Sequence, residues 1–254
     1  YVALLYLIVF LWYPQPYFAA DGGWQGVQLI TGVDLVLGPL LTLIVFKAGK
    51  PGLRRDLTLI GIMQTGALVW GTWLVHDQRS AMVAYADGTF YTLTHEQVHD
   101  AGGQAPAVAE RAGTTPPYGF VRMPAQPRER SELRLQTLFS GKPIHQLGER
   151  YEPFGTSNIE EVLKQGVDLE KYTARLEQNR QALERFLNRH GGKAEDYAFL
   201  PLSARYRDLF LALRRADGSV VDGLKINKRP PAAANPPTAM DGGSAGREAV
   251  SERG

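Results

Sequence analysis

The chain has 254 residues, a formal net charge of +2 and no cysteine. The absence of cysteine excludes disulfides, thiol catalysis and cysteine-ligated metal sites. Between residues 76 and 230 acidic and basic residues are interspersed and nearly balanced, so no nucleic-acid footprint is indicated.

The first segment, Tyr1 to Tyr13, is apolar but would span only about 20 Å as a helix that rises ~1.5 Å per residue. We interpret it as the outer end of a truncated first membrane span. A signal peptide with the small residues Ala19 and Ala20 near its cleavage site is the alternative, which Phe18 disfavours because the cleavage pattern requires a small residue there.

Two longer apolar stretches follow, Gln25 to Phe46 and Leu57 to Val75. A bilayer core needs about 20 helical residues to cross it, and backbone groups in lipid must bond within the segment. We therefore expect residues 1–75 to form three transmembrane helices. Helices buried in a soluble core are the alternative.

The loops predict how these spans are oriented. Lys47, Lys50, Arg54 and Arg55 lie between the last two apolar stretches, whereas the loop from Pro14 to Trp24 has no Lys or Arg. The positive-inside rule places the basic turn in the cytoplasm and residues after 75 outside, which is the periplasm for a multi-pass protein of a bacterial inner membrane. Four aromatic residues fall at the predicted outer boundary: Trp12, Tyr13, Trp24 and Trp73.

Residues 76–229 predict one extracytoplasmic α+β domain of ordinary size. Ala81 to Ala86 and Phe90 to Leu93 flank Asp87-Gly88, a pattern typical of a two-residue hairpin. Further strands are predicted at 118–123, 199–202, 209–213 and 219–226, and helices at 128–139 and 169–190. In the first of these helices Leu135, Leu138 and Phe139 are expected to face inward. Residues 230–254, rich in Pro, Ala, Gly and Ser, predict a disordered tail.

Asp34 is the most unusual residue of the predicted spans. It would lie near the bilayer midplane, where a charge costs several kcal/mol, so it must be neutral, paired or facing protein. The indole N–H of Trp70 is predicted at a similar depth and is a candidate donor. An internal hydrogen bond, a contact with a partner helix and proton or ion transport remain open as its role.

Other residues predict how the spans are shaped. Gly38-Pro39 is expected to bend the second span. Gly61, Thr65 and Thr72 offer a small-residue face on which another helix can pack closely. That face would serve internal packing or a partner equally well.

The segment from His95 to His99 matches the H-E-x-x-H pattern, in which two histidines hold Zn²⁺ and Glu96 acts as a base. A zinc protease is therefore one candidate function. However, Ala105 stands where the longer pattern has a third histidine, and a catalytic zinc needs a third protein ligand, which only a distant residue such as Glu110 or His145 would supply. A solvated helix start is the simpler interpretation.

The order of these features resembles the type IV pilin accessory proteins of the TfpX/TfpZ type. The resemblance covers residues 1–228, and its most specific part is the second-span motif with Asp34 and Gly38-Pro39. Its other parts are Leu11-Trp12-Tyr13-Pro14, the basic turn with Lys47 and Lys50, Asp56-Leu57, the strand pair with Asp87 and Phe90, and Phe199-Leu200-Pro201-Leu202.

This resemblance implies a non-enzymatic, cofactor-free factor that assists type IV pilus assembly. The expected partners are the pilin, the lipid bilayer and further pilus-assembly or pilin-modifying membrane proteins. Asp34 and the small-residue faces would hold the pilin membrane helix, and the α+β domain would contact the pilin head. The zinc protease and a signalling or transport protein are the rival classes.

Overall fold

A computed structural model describes residues 4, 6–13, 15–32, 38–45, 52–111, 114–169, 173–174 and 177–226. Its N-terminal part contains a π-helix, Leu7–Trp12. Four α-helices follow: α1 (Tyr17–Ala20), α2 (Gly23–Gly32), α3 (Gly38–Val45) and α4 (Leu53–Asp77).

The prediction of three transmembrane helices is wrong. Within the described ranges one helix, Arg54–Asp77, is long and apolar enough to cross a membrane by length and composition. Helices α2 and α3 have 10 and 8 residues, which span only about 15 and 12 Å at ~1.5 Å per residue. Gly38 and Pro39 are the first two residues of α3, a place that proline fits because it has no N–H to donate. Residues 33–37 lie outside the described residues, so the predicted bend stays a prediction.

The rest of the described chain is built on one mixed sheet of seven strands in the order β4-β3-β1-β2-β5-β6-β7. The strands are β1 (Ser80–Ala86), β2 (Thr89–Thr94), β3 (Tyr118–Val121), β4 (Tyr151–Pro153), β5 (Tyr197–Ser203), β6 (Leu209–Arg214) and β7 (Val220–Leu224). β1 and β3 are parallel, as are β2 and β5, and the other neighbouring pairs are antiparallel.

The predicted hairpin is confirmed by the pairing of β1 with β2. Asp87 and Gly88 form its turn with φ angles of 49° and 84°. Positive φ at both central residues is what a two-residue turn requires to match the twist of its strands, and Asp and Gly tolerate it best. The turn chemistry therefore fixes the register of the first two strands.

Within the described residues, five further α-helices surround the sheet: α5 (His95–Ala101), α6 (Ala105–Arg111), α7 (Pro127–Ser140), α8 (Ile159–Lys164) and α9 (Glu177–His190). The largest core cluster lies on one face of the sheet, where Tyr17, Ala20 and Val162 pack among strand residues such as Leu200 and Leu211. Two clusters involve other helices. One joins α5 and α6 to β1, and the other joins α9 to β5 and β6.

Helix α7 was predicted correctly in extent but not in orientation. Leu135, Leu138 and Phe139 are 54, 78 and 88% exposed, and its buried residues are Leu133 and Thr137. The Arg134 guanidinium donates to both carboxylate oxygens of Asp87 at 2.6 and 2.7 Å. This tertiary contact holds the helix against the β1–β2 turn and leaves Leu135, Leu138 and Phe139 exposed.

The second long helix is shorter than predicted in the described residues, since α9 begins at Glu177 and Leu169 packs beside it as a separate core residue. The predicted tail, residues 230–254, lies outside the described residues.

Candidate functional site

The clearest meeting point of the N-terminal part and the sheet is the junction between α4 and β1. Only Gln78 and Arg79 separate the last residue of the helix from the first residue of the strand. The backbone N–H of Gln78 still donates to the carbonyl of Leu74 at 3.0 Å. The candidate membrane helix thus continues almost directly into the centre of the sheet.

Two tyrosines attach the N-terminal segment to this junction. The hydroxyl of Tyr13 donates to the Val75 carbonyl at 2.9 Å, and the hydroxyls of Tyr17 and Tyr118 lie 2.5 Å apart. Burial raises the pKa of Tyr118 to about 12. Both hydroxyls of the pair therefore remain protonated at neutral pH, which keeps the contact uncharged inside the core.

Asp21 provides a third attachment. The residue is 5% exposed, and its carboxylate accepts hydrogen bonds from the Ser80 hydroxyl and, at 2.6 Å, from the Thr92 hydroxyl. Burial raises the pKa of Asp21 above its ordinary value of 3.8, although the two hydroxyls and Arg205 act in the opposite direction. The residue therefore joins the N-terminal segment to both strands of the first hairpin.

A cavity of about 290 Å³ opens at this junction. Its lining comes from the N-terminal segment, the start of β1, α5, α6 and the loop before β3: Trp12, Tyr13, Tyr17, Arg79, Ser80, Ala81, His95, Ala109, Thr115, Pro116 and Pro117. The Arg79 guanidinium donates to His76 Nε2 at 2.7 Å, and the Trp12 ring meets the His76 ring edge-on with centroids 4.8 Å apart. Aromatic rings and a cation thus share one concave surface.

The sequence-predicted membrane residues do not form a single site. Asp34 lies outside the described residues, and Gly38 and Pro39 begin α3. On α4, Trp70 is 66% exposed and its ring centroid lies 5.3 Å from that of Trp73. The predicted pairing of Asp34 with Trp70 remains a prediction.

Gly61 and Thr65 lie on an open side of α4. Among the described residues, no atom outside the backbone of the helix would lie within 4 Å of a Cβ added at Gly61, and the Thr65 hydroxyl donates to the Gly61 carbonyl at 2.8 Å. The helix packs on α2 and α3 through other positions, including Ile60 and Val75. Its small-residue surface is therefore free to meet lipid or another helix.

His95, Glu96 and His99 lie on α5, a helix of seven residues. Thr94 and Gln97 form a capping box at its start, and the His99 side chain is 89% exposed, with Nδ1 3.7 Å from the Asp100 carboxylate. No three His, Asp or Glu side chains of the described residues come together as metal ligands. The structure assigns His95 instead to the wall of the junction cavity.

Sequence reasoning missed Asp21, Arg79 and the tyrosine pair. The available signal for Asp21 was that it is the single charged residue in the segment from Pro14 to Trp24. Nothing local distinguished Arg79 from other residues at the end of a helix.

Three curated proteins of Dichelobacter nodosus are similar to part of this chain. The fimbrial assembly protein of serogroup E1 is 36% identical over 87 residues, which cover 33% of this chain and 34% of the relative. The proteins of serogroups C1 and C2, and of serogroup I, are each 35% identical over 82 residues, covering 31% of this chain and 62 and 32% of the respective relative. The chain thus matches between a third and three fifths of these relatives' own length. No family model and no solved structure matches the chain.

Proposed function

We propose that this chain is a non-enzymatic accessory factor that assists type IV pilin stability and pilus assembly at the bacterial inner membrane. The three fimbrial assembly relatives carry the proposal, because they support an association of the chain with fimbrial assembly. Together with the candidate membrane helix α4, they support membrane association. A multi-pass topology has no support.

The basic residues at the start of α4 support the proposed orientation. Arg54 and Arg55 lie in the first turn of the helix, and its last turn ends at Asp77. The positive-inside rule then places the start of α4 in the cytoplasm and the sheet in the periplasm. In this arrangement the sheet lies on the side of the membrane where a pilin head is exposed.

The open side of α4 is the proposed contact for the pilin membrane helix. Helices associate in membranes where small residues let the backbones approach, because lipid leaves no hydrophobic driving force between apolar surfaces. Gly61 and Thr65 provide such a surface, and the internal hydrogen bond of the Thr65 hydroxyl lowers the penalty of placing it in lipid. A partner helix would pack there without displacing α2 or α3.

The exposed apolar residues of α7 are the proposed contact for the pilin head. Leu135, Leu138 and Phe139 together expose on the order of 400 Å², a patch size that is often functional on a monomer. Arg134 holds α7 at the Asp87 turn, which lies at the opposite end of β1 from the membrane helix. The patch on α7 is thus too far from the bilayer that α4 enters to contact lipid. The area of the patch is also below the ~800 Å² per partner that a stable dimer buries, which disfavours a second copy of this chain as its partner.

Site-specific photocrosslinking in piliated cells would test the membrane contact. A crosslinker at Thr65 should capture pilin, whereas one at Ile60, which is 8% exposed, should capture only this chain. Gly61→Leu should reduce crosslinking and piliation at unchanged protein level. The matched control is Ala67→Leu, which adds the same side chain at another exposed position of α4. Internal crosslinks alone, with normal piliation in Gly61→Leu, would refute the contact.

A further inference from the structure

The junction cavity contains a positive charge that is not neutralised by any described carboxylate. Arg79 takes part in no ion pair within the described ranges, and its one side-chain hydrogen bond goes to His76 Nε2. An arginine always donates, so His76 Nε2 must be the acceptor and the imidazole is neutral. The charge of the guanidinium therefore remains available to an anion.

The nearest buried acid does not supply that anion. Asp21 already accepts hydrogen bonds from Ser80 and Thr92, so its two carboxylate oxygens are engaged on the sheet side. Apart from Arg79 and the two tyrosines, the titratable side chain in the cavity wall is His95. Its imidazole adds a second hydrogen-bond donor. A partly enclosed site with one unpaired cation and an imidazole favours a singly charged oxyanion.

The position of the cavity indicates where this anion comes from. Arg79 lies two residues beyond the end of the candidate membrane helix, and Trp12 and Tyr13 contribute aromatic walls. Such amphipathic rings prefer the level of the lipid headgroups. The volume of about 290 Å³ is roughly ten times the ~30 Å³ share of a water molecule, so it admits a headgroup.

We infer that the junction cavity, with Arg79, His95 and Trp12 in its wall, binds the phosphodiester of a phospholipid headgroup. The guanidinium donates to the phosphate oxygens, His95 borders them, and the aromatic rings contact the glycerol portion. The lipid is a structural ligand that fixes the height of the sheet above the bilayer. This site is separate from both proposed pilin contacts, which lie along α4 and on α7.

The test is a binding titration of the full chain in non-ionic detergent, with short-chain phosphatidylglycerol as probe. Chain-matched diacylglycerol and inorganic phosphate are the other two arms. Phosphatidylglycerol should bind, and Arg79→Gln should weaken its affinity by about tenfold or more, the usual scale for losing a charge-assisted hydrogen bond. Arg79→Lys should retain most of the binding, and His95→Gln should weaken it less than Arg79→Gln.

Arg128→Gln is the matched control, because Arg128 is a surface arginine on α7 with a side chain 90% exposed. Equal binding of diacylglycerol would show that the phosphate is irrelevant and overturn the site. Inorganic phosphate binding as tightly as the lipid would overturn the lipid assignment. An affinity unchanged in a folded Arg79→Gln variant would overturn the site, and if that variant does not fold, an affinity unchanged in His95→Gln would overturn it.

Discussion

His145 should make the stability of the sheet domain fall in mild acid. Its ring stacks on Tyr91 with centroids 4.1 Å apart, and burial lowers its pKa from 6.5 to about 4. The unfolded chain then binds more protons than the folded chain between these values. Stability is therefore full above pH 6.5 and is lost as the pH falls toward 4. The difference between the two pKa values corresponds to a loss of about 3 kcal/mol in the free energy of unfolding in total, of which about 2 kcal/mol is lost at pH 5.

Urea unfolding of the detergent-solubilised chain at pH 7 and pH 5 would measure this loss. His145→Phe is the matched variant, because a phenyl ring keeps the contact with Tyr91 and does not titrate. It should be within about 1 kcal/mol of the unaltered chain at pH 7 and should lose about 2 kcal/mol less on going to pH 5. If both proteins lose the same free energy of unfolding between the two pH values, the assignment of a buried neutral imidazole is refuted.

Substitutions at Asp21 and Gly148, each with a matched variant, test the packing of the domain. Asp21→Ala leaves the Ser80 and Thr92 hydroxyls without their acceptor and should lower the free energy of unfolding by about 1–3 kcal/mol. Asp21→Asn keeps one acceptor oxygen for these hydroxyls and should therefore be more stable than Asp21→Ala. Because the raised pKa of Asp21 means that its contribution is full below 3.8 and declines as the pH rises through its folded value, both variants should show a flatter dependence of stability on pH than the unaltered chain. Gly148→Ala would place a Cβ 2.0 Å from the Gly102 carbonyl oxygen, an overlap between two backbones that should cost about 3 kcal/mol. Gly155→Ala, which meets nothing within 4 Å, should melt within a degree or two of the unaltered chain, and equal melting temperatures for the two alanine variants would contradict the close approach.

Local chemistry made part of this fold predictable. The Asp87-Gly88 turn specifies its own hairpin through the φ angles that it tolerates, and the extent of α7 follows from Pro127 at its start and Gly141 after its end. Which side of α7 is buried was not predictable, because Arg134 and Asp87 are 47 positions apart. A row of apolar residues on one side of a helix indicates that this side can be buried. Whether it is buried in α7 depends on the contact between Arg134 and Asp87.

The same difference between local and tertiary information applies to the predicted zinc site and to the junction cavity, which share His95. The pattern from His95 to His99 is local and suggested zinc, but coordination depends on a third ligand that no short motif places. The junction cavity takes its walls from residues between positions 12 and 117, so no window of the sequence contains it. Arg79 and His95 line a common cavity because the pairing of β1 with β2 brings the end of α4 and the start of α5 to the same end of these strands.

The contacts at the junction also couple its parts. The cavity needs Trp12 and Tyr13 in its wall, and these residues are held by the Tyr13–Val75, Tyr17–Tyr118 and Asp21 hydrogen bonds. Releasing the N-terminal segment should therefore open the cavity as well as destabilise the sheet. Asp21→Ala is expected to weaken phosphatidylglycerol binding although Asp21 does not line the cavity, whereas Gly148→Ala destabilises a loop beside α5 and should leave the lipid affinity of the folded fraction intact. A lipid affinity that is unchanged in Asp21→Ala would mean that the sheet and Arg79 alone form the site.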